Sequence, residues 1–171
     1  MIILPNTNAL VALPPRGPLD LRFNPKPARD LWLVVTGCRG LGRVHFEQAL
    51  AAAGVADRVE VLLTGDAAGI DGAARVWARE LGRGRVALRV FTANWARLGK
   101  AAGPMRNEAM IAHARGLGVP PRVLCLGVLN DLSPRKNAGT RDTLTRAQRA
   151  QIPTRIFAFD KDGAMREEPT P

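Results

Sequence analysis

The chain is 171 residues long, 46% apolar and 23% charged, with a formal net charge of +10. That size suits one domain with a sizeable core; no run of about 18 apolar residues could cross a bilayer, and Met1-Ile-Ile-Leu-Pro5 lacks the basic and apolar regions of a leader, so a soluble, cytoplasmic protein with no membrane partner is expected. The positive charge favours phosphorylated or polyanionic partners, whereas two cysteines and two scattered histidines offer no metal-ligand spacing, so neither a metal nor another cofactor is expected.

Six prolines between Pro5 and Pro27 deny residues 1–30 helical hydrogen bonds, so this segment reads as a Pro-rich N-terminal arm. Leu31-Trp-Leu-Val-Val-Thr36 is a short continuous apolar run ended by a glycine-bearing turn, the pattern of a strand buried on both faces. A helix follows over residues 44–53. The pattern repeats as strand Val59–Thr64, turn Gly65–Gly69 and a helix with Ile70, Ala74, Trp77, Ala78 and Leu81 on one face. Next come a strand from Val86 to Phe91, a small-residue loop, and a helix from Pro104 to Ala114 with Met110, Ile111 and Ala114 toward the core. A strand from Arg122 to Leu126, a loop of about a dozen residues, a helix near Thr140–Ala150 and a strand from Thr154 to Phe159 complete the series. Alternating strands and helices predict an α/β fold over residues 31–159. It is a Rossmann-like three-layer sandwich, its mostly parallel sheet holding five strands or slightly more, with helices on both faces. Residues 160–171 are expected to form a flexible acidic tail. Cys38 and Cys125 lie in or beside apolar runs and read as structural thiols.

In such folds ligands bind beyond the carboxyl ends of the strands, where helix N-termini present free N–H groups. Three turns occupy that position: Gly37–Gly42, Gly65–Asp71 and Ala138–Thr140. Glycines at 37, 40 and 42 do not have the G-x-G-x-x-G spacing of a standard NAD site. They leave either a backbone that approaches a ligand closely, with Arg39 pairing a phosphate, or a tight turn with an exposed arginine. Asp71, opening a helix, serves either as a cap for the helix dipole or as an acceptor for a ribose hydroxyl. Gly99-Lys100 is not a P-loop, because Asn94 stands where the first glycine belongs and Ala101 has no hydroxyl for magnesium. Pro104 suits the first helical position, which puts Arg106 and Asn107 in the first turn and near the crevice. Gly139-Thr140 supplies bare amides and a hydroxyl suited to phosphate, with Arg135 and Lys136 close by in sequence.

Four blocks in this order carry a resemblance. They are Val-Thr-Gly37-Cys-Arg39; Thr-Gly65-Asp-Ala-Ala-Gly69-Ile-Asp71; Asn94-Trp95 with Gly99-Lys100-Ala-Ala-Gly103-Pro-Met-Arg106-Asn107-Glu-Ala-Met110; and Gly139-Thr140. Over roughly residues 31–158 the chain resembles the YspA-type, cpYpsA-related branch of the SLOG superfamily. These are Rossmann-like proteins related to the LOG phosphoribohydrolases and to the DprA Rossmann domain. The resemblance implies a pocket for a nucleotide or nucleotide derivative. Phosphate would lie on the turns at Gly37, Gly65–Gly69 and Gly139-Thr140, with Arg106 and Lys100 as cationic clamps. Asp71 would take the ribose, and Asn107 and Trp95 the base or sugar side, with Gly103 in the loop that delivers them.

LOG enzymes hydrolyse the N-glycosidic bond of nucleoside monophosphates with an arginine in R-K-x-x-M and a glutamate in P-G-G-x-G-T-x-x-E. Arg106-Asn-Glu-Ala-Met110 aligns with the first block and implies a catalytic or phosphate-binding Arg106. Thr143 stands where the glutamate falls, and no P-G-G precedes Gly139. N-glycoside cleavage needs a carboxylate, which leaves Asp142, one residue or about 100° away on a helix, or Asp71. Nucleic acid is the alternative partner, from the charge and the DprA relation, although few aromatics remain for a base platform. A non-catalytic sensor of a signalling nucleotide is a third reading, and dimerisation among relatives raises a homodimer.

Overall fold

The computed structural model describes residues 29–80, 84–116, 122–131 and 137–169. The Pro-rich arm up to residue 28, Leu81, Arg135 and Lys136 lie outside the described residues. Six strands form one sheet: β1 (Leu31–Gly37), β2 (Val59–Gly65), β3 (Ala87–Phe91), β4 (Arg122–Asn130), β5 (Thr154–Phe159) and β6 (Met165–Glu168), in the order β3-β2-β1-β4-β5-β6. The first five are parallel, and β6 runs antiparallel to β5. The helices are α1 (Arg43–Ala53), α2 (Ile70–Glu80), α3 (Trp95–Leu98), α4 (Ala102–Arg115) and α5 (Ala138–Arg149). This is an α/β, Rossmann-like three-layer sandwich. Among the described residues no helix is long and apolar enough to cross a membrane.

Alternation along β1 builds the two cores. Leu31, Leu33 and Val35 point toward α1 and α2, where Phe46, Leu50, Ile70, Ala74 and Trp77 bury their side chains. Val34 points the other way, with Leu63 and Cys125, onto Met110, Ile111 and Ala114 of α4 and Leu144 and Ala147 of α5. Both thiols are buried, and burial pushes the Cys125 thiol up to about 12, so they act as packing groups.

Three expectations need correction. β4 runs to Asn130 rather than ending at Leu126, because Gly127 is a strand glycine and not the start of a turn: a Cβ there would stand 2.8 Å from Leu144 Cδ1 of α5. A short turn, α3 and a single 3-10 turn at Gly99–Ala101 precede α4, so Pro104 is its third residue and Arg106 and Asn107 lie in the second turn. The acidic tail is a paired strand instead of a frayed end. Asp160 Oδ1 accepts from the amides of Asp162 and Ala164, both at 2.9 Å, which closes a hairpin. Arg155 grips Glu167 through two hydrogen bonds of 2.6 and 2.7 Å, and Arg166 reaches Asp131 at 2.8 Å. β6 pairs with β5 through its backbone, and the tail carboxylates Asp160 and Glu167 add side-chain bonds to that pairing.

Candidate functional site

Strand order reverses between β1 and β4, since the chain leaves β1 toward β2 and leaves β4 toward β5. A cleft of about 500 Å³ lies there, at the carboxyl ends of the strands, as expected for a doubly wound sheet. The turn after β1 contributes Gly37 and Arg39, the turn after β2 contributes Ala67 and Asp71, and α3 contributes Trp95. From α4 come Gly103, Pro104, Arg106 and Asn107, and from the start of α5 come Ala138, Gly139, Thr140 and Asp142.

The turns are stitched to one another before any ligand is considered. Gly69, at φ +75°, passes directly against the backbone of Cys38 and Arg39, and the Ile70 amide donates to Cys38 O at 3.3 Å. Gly37 has no room for a Cβ because the Ile70 side chain fills that space. Arg75, one helical turn after Asp71, donates to Gly65 O at 2.6 Å and to Ala67 O at 3.1 Å, which stiffens the second turn from behind. Gly69 therefore supports the cleft without lining it.

At the floor, Arg106 and Asp71 form the buried electrostatic centre. Arg106 Nη1 lies 3.3 Å from Asp66 Oδ1 and 3.6 Å from Asp71 Oδ2. The Asp71 residue is 5% exposed, and the Arg106 side chain is 11% exposed. Burial raises the Asp71 carboxyl from 3.8 to about 6, against the pull of the Arg106 and Arg75 guanidiniums and the amides of Gly37 and Ala67. Gly65 does not line the cleft but makes this arrangement sterically feasible: a Cβ there would fall on the Arg106 guanidinium and the Asp71 carboxylate. Arg106 Nε is buried with no hydrogen-bond partner among the described residues, an unmet donor that costs about 1–3 kcal/mol and that marks a site of interest.

The α5 wall is held by Asn107. Its Nδ2 donates to Gly139 O at 3.3 Å and to Asp142 Oδ2 at 2.9 Å, fixing the opening of α5 against α4. Asp142 also takes two 3.0 Å bonds from Arg146 Nε, and Arg146 pairs in turn with Glu108. Thr143 donates to Gly139 O at 3.1 Å. Asp142 is thus engaged in structure at the cleft edge, while Asp71 lies on the floor. Arg39 is exposed and has no ion-pair or hydrogen-bond partner among the described residues, so its charge is open to a ligand.

The cleft brings together Gly37, Arg39, Asp71, Trp95, Gly103, Arg106, Asn107, Gly139, Thr140 and Asp142. Lys100 does not join them; it is exposed on the 3-10 turn ahead of α4. Two residues were missed. Asp66 binds Arg106 and also accepts the Ala93 amide at 3.1 Å, and Arg75 flanks Asp71. Arg75 carried a weak signal, the i,i+4 spacing to Asp71 on one helix face; Asp66 carried none beyond being a polar turn residue. Compared with protein-family models, curated proteins and solved structures, the chain matches none.

Proposed function

We propose that this cleft binds a nucleotide or nucleotide derivative and that the chain is a SLOG-type protein of the YspA-like branch. The observation that supports this is the division of charge along one switch-point cleft. Arg106 sits between two carboxylates, so its charge is already balanced and its end of the cleft suits hydroxyl groups. Among the described residues Arg39 has no carboxylate partner, and at the Gly139-Thr140 opening of α5 the Asp142 carboxylate is taken by Asn107 and Arg146; a helix N-terminus with an unpaired arginine suits phosphate. The ligand accordingly lies with its phosphate toward Arg39 and Thr140 and its sugar over Asp71 and Arg106. This reassigns Arg106 from phosphate clamp to sugar-side orienting group.

The same arrangement supports N-glycosidic hydrolysis as the reaction. Water adds at C1′ and the base departs with a proton, while the ionised Asp71 carboxylate steadies the positive charge that develops on the sugar. Asp142 is less suited, because Arg146 and Asn107 already occupy its oxygens. Thermal-shift measurements against a nucleotide panel test the binding, since a ligand of the native state raises its midpoint. Arg39→Ala is expected to lose the shift for phosphorylated ligands, and Asp71→Asn to abolish base release measured by chromatography. Oligonucleotide binding with a steep salt dependence and no mononucleotide shift would instead favour the nucleic-acid reading that the +10 charge suggests.

A further inference from the structure

Among the residues that line the cleft the aromatic one is an indole. Trp95 is 50% exposed and lines the cleft. The other two tryptophans are engaged. Trp77 stacks edge-on with Phe46 at 6.1 Å, and Trp32 lies under the Arg89 guanidinium at 5.4 Å and beside His113 at 6.2 Å. Trp95 has no ring or cation partner among the described residues.

Its placement is fixed from three directions although it rides on a single helical turn. Asn94 caps that turn by accepting the Arg97 amide at 3.0 Å. The preceding Ala93 amide is tied to Asp66, the same carboxylate that meets Arg106. On the far side, Gly103 of α4 leaves room for the edge of the ring: a Cβ there would stand 3.4 Å from Trp95 Cη2. An indole carried on a turn held at both ends, half exposed and with no ring partner among the described residues, is a preformed stacking surface. Its cost in ordering is small because few side-chain torsions remain to be fixed.

We infer that Trp95 is the base platform of the cleft: the ligand carries an aromatic base that stacks on its indole, so an intact nucleotide is selected over a phosphosugar. This rests on the nucleotide reading above and adds a specificity-determining residue to it. Stacking tolerates any base because each has a π-face, so Trp95 selects for the presence of a base, and polar contacts elsewhere would choose among bases.

The test is calorimetric titration of the full chain with the four ribonucleoside 5′-monophosphates and with ribose 5-phosphate, for the wild type, Trp95→Ala and Trp95→Phe. The wild type is expected to bind at least one monophosphate more tightly than ribose 5-phosphate. Trp95→Ala should weaken the monophosphate by about 5- to 150-fold and leave ribose 5-phosphate unchanged, while Trp95→Phe retains most of the affinity. Equal losses for both ligands in Trp95→Ala, or no loss for either, would overturn the inference, as would a wild type that binds ribose 5-phosphate as tightly as every monophosphate. Binding of none of the five by the wild type would overturn the nucleotide reading and the stacking role with it.

Discussion

Replacing Asp71 with asparagine makes the sharpest test of the electrostatics at the cleft floor. The carboxyl stands at about 6 in the fold against an ordinary 3.8. Each pH unit is worth about 1.4 kcal/mol, so ionising it within the fold costs about 3 kcal/mol more than in the unfolded chain. The shift is upward on an acid, so the native state holds the proton more tightly than the unfolded state does. Stability from this group is therefore greatest below pH 3.8 and is lost as the pH rises, with the loss complete above 6. Of the total, about 1–2 kcal/mol is lost between pH 5 and 7.5. The amide of the Asp71→Asn variant does not titrate. Thermal unfolding of both proteins at the two pH values should show the variant gaining on the wild type by about 2–8 °C from the lower to the higher pH, at about 2–4 °C per kcal/mol for a chain of this size. A pH-independent difference, or a shift in favour of the wild type, would refute the reasoning. It would mean that Arg106, Arg75 and the two amides outweigh desolvation and that Asp71 is an ordinary ion-paired carboxylate.

Other perturbations probe the parts separately. Gly65→Ala puts a methyl group where the Arg106 guanidinium lies; denaturant unfolding should show a loss of about 1–3 kcal/mol from overpacking, together with loss of any nucleotide thermal shift. Asn107→Ala leaves Gly139 O and Asp142 without their shared donor, and urea titration should show a cost of about 1–3 kcal/mol with weaker phosphate binding as the opening of α5 loosens. Lys100→Ala should leave nucleotide affinity unchanged, because Lys100 is outside the cleft; Arg39→Ala should lower that affinity and flatten its salt dependence.

Much of the fold was legible because apolar runs bounded by glycine turns have few alternatives. Leu31–Gly37 is a strand with nearly every residue buried, and a continuous apolar run announces that environment. Where the reading departed from the fold, a residue had two meanings. Gly127 reads as the start of a loop, yet it stays within the strand because Leu144 of α5 needs the space. Glu167 and Glu168 in a terminal segment suggest solvation, and only Arg155, Arg166 and Arg141 convert them into strand contacts. Local patterns cannot encode such partners.

The site was legible as positions and less so as roles. The sequence places Arg106 at a strand-end crevice, and it lies there, but the crevice charge is a local sum that no count of basic residues predicts. Asp66 meets Arg106 across 40 positions, and Asp71 meets it from the start of α2. Gly65 reads as a phosphate-binding glycine, whereas the space it leaves is taken by the guanidinium itself. Asp142 reads as a stand-in for a missing catalytic glutamate, whereas Arg146 and Asn107 use its oxygens to fix α5. Once these pairings are made, two carboxylates balance Arg106 and Arg75 at the floor. Among the described residues that line the cleft, the cation left to meet an anion is Arg39, together with the amides at the start of α5. A net charge of +10 therefore says little about this cleft, whose polarity follows from which cations the fold has already paired.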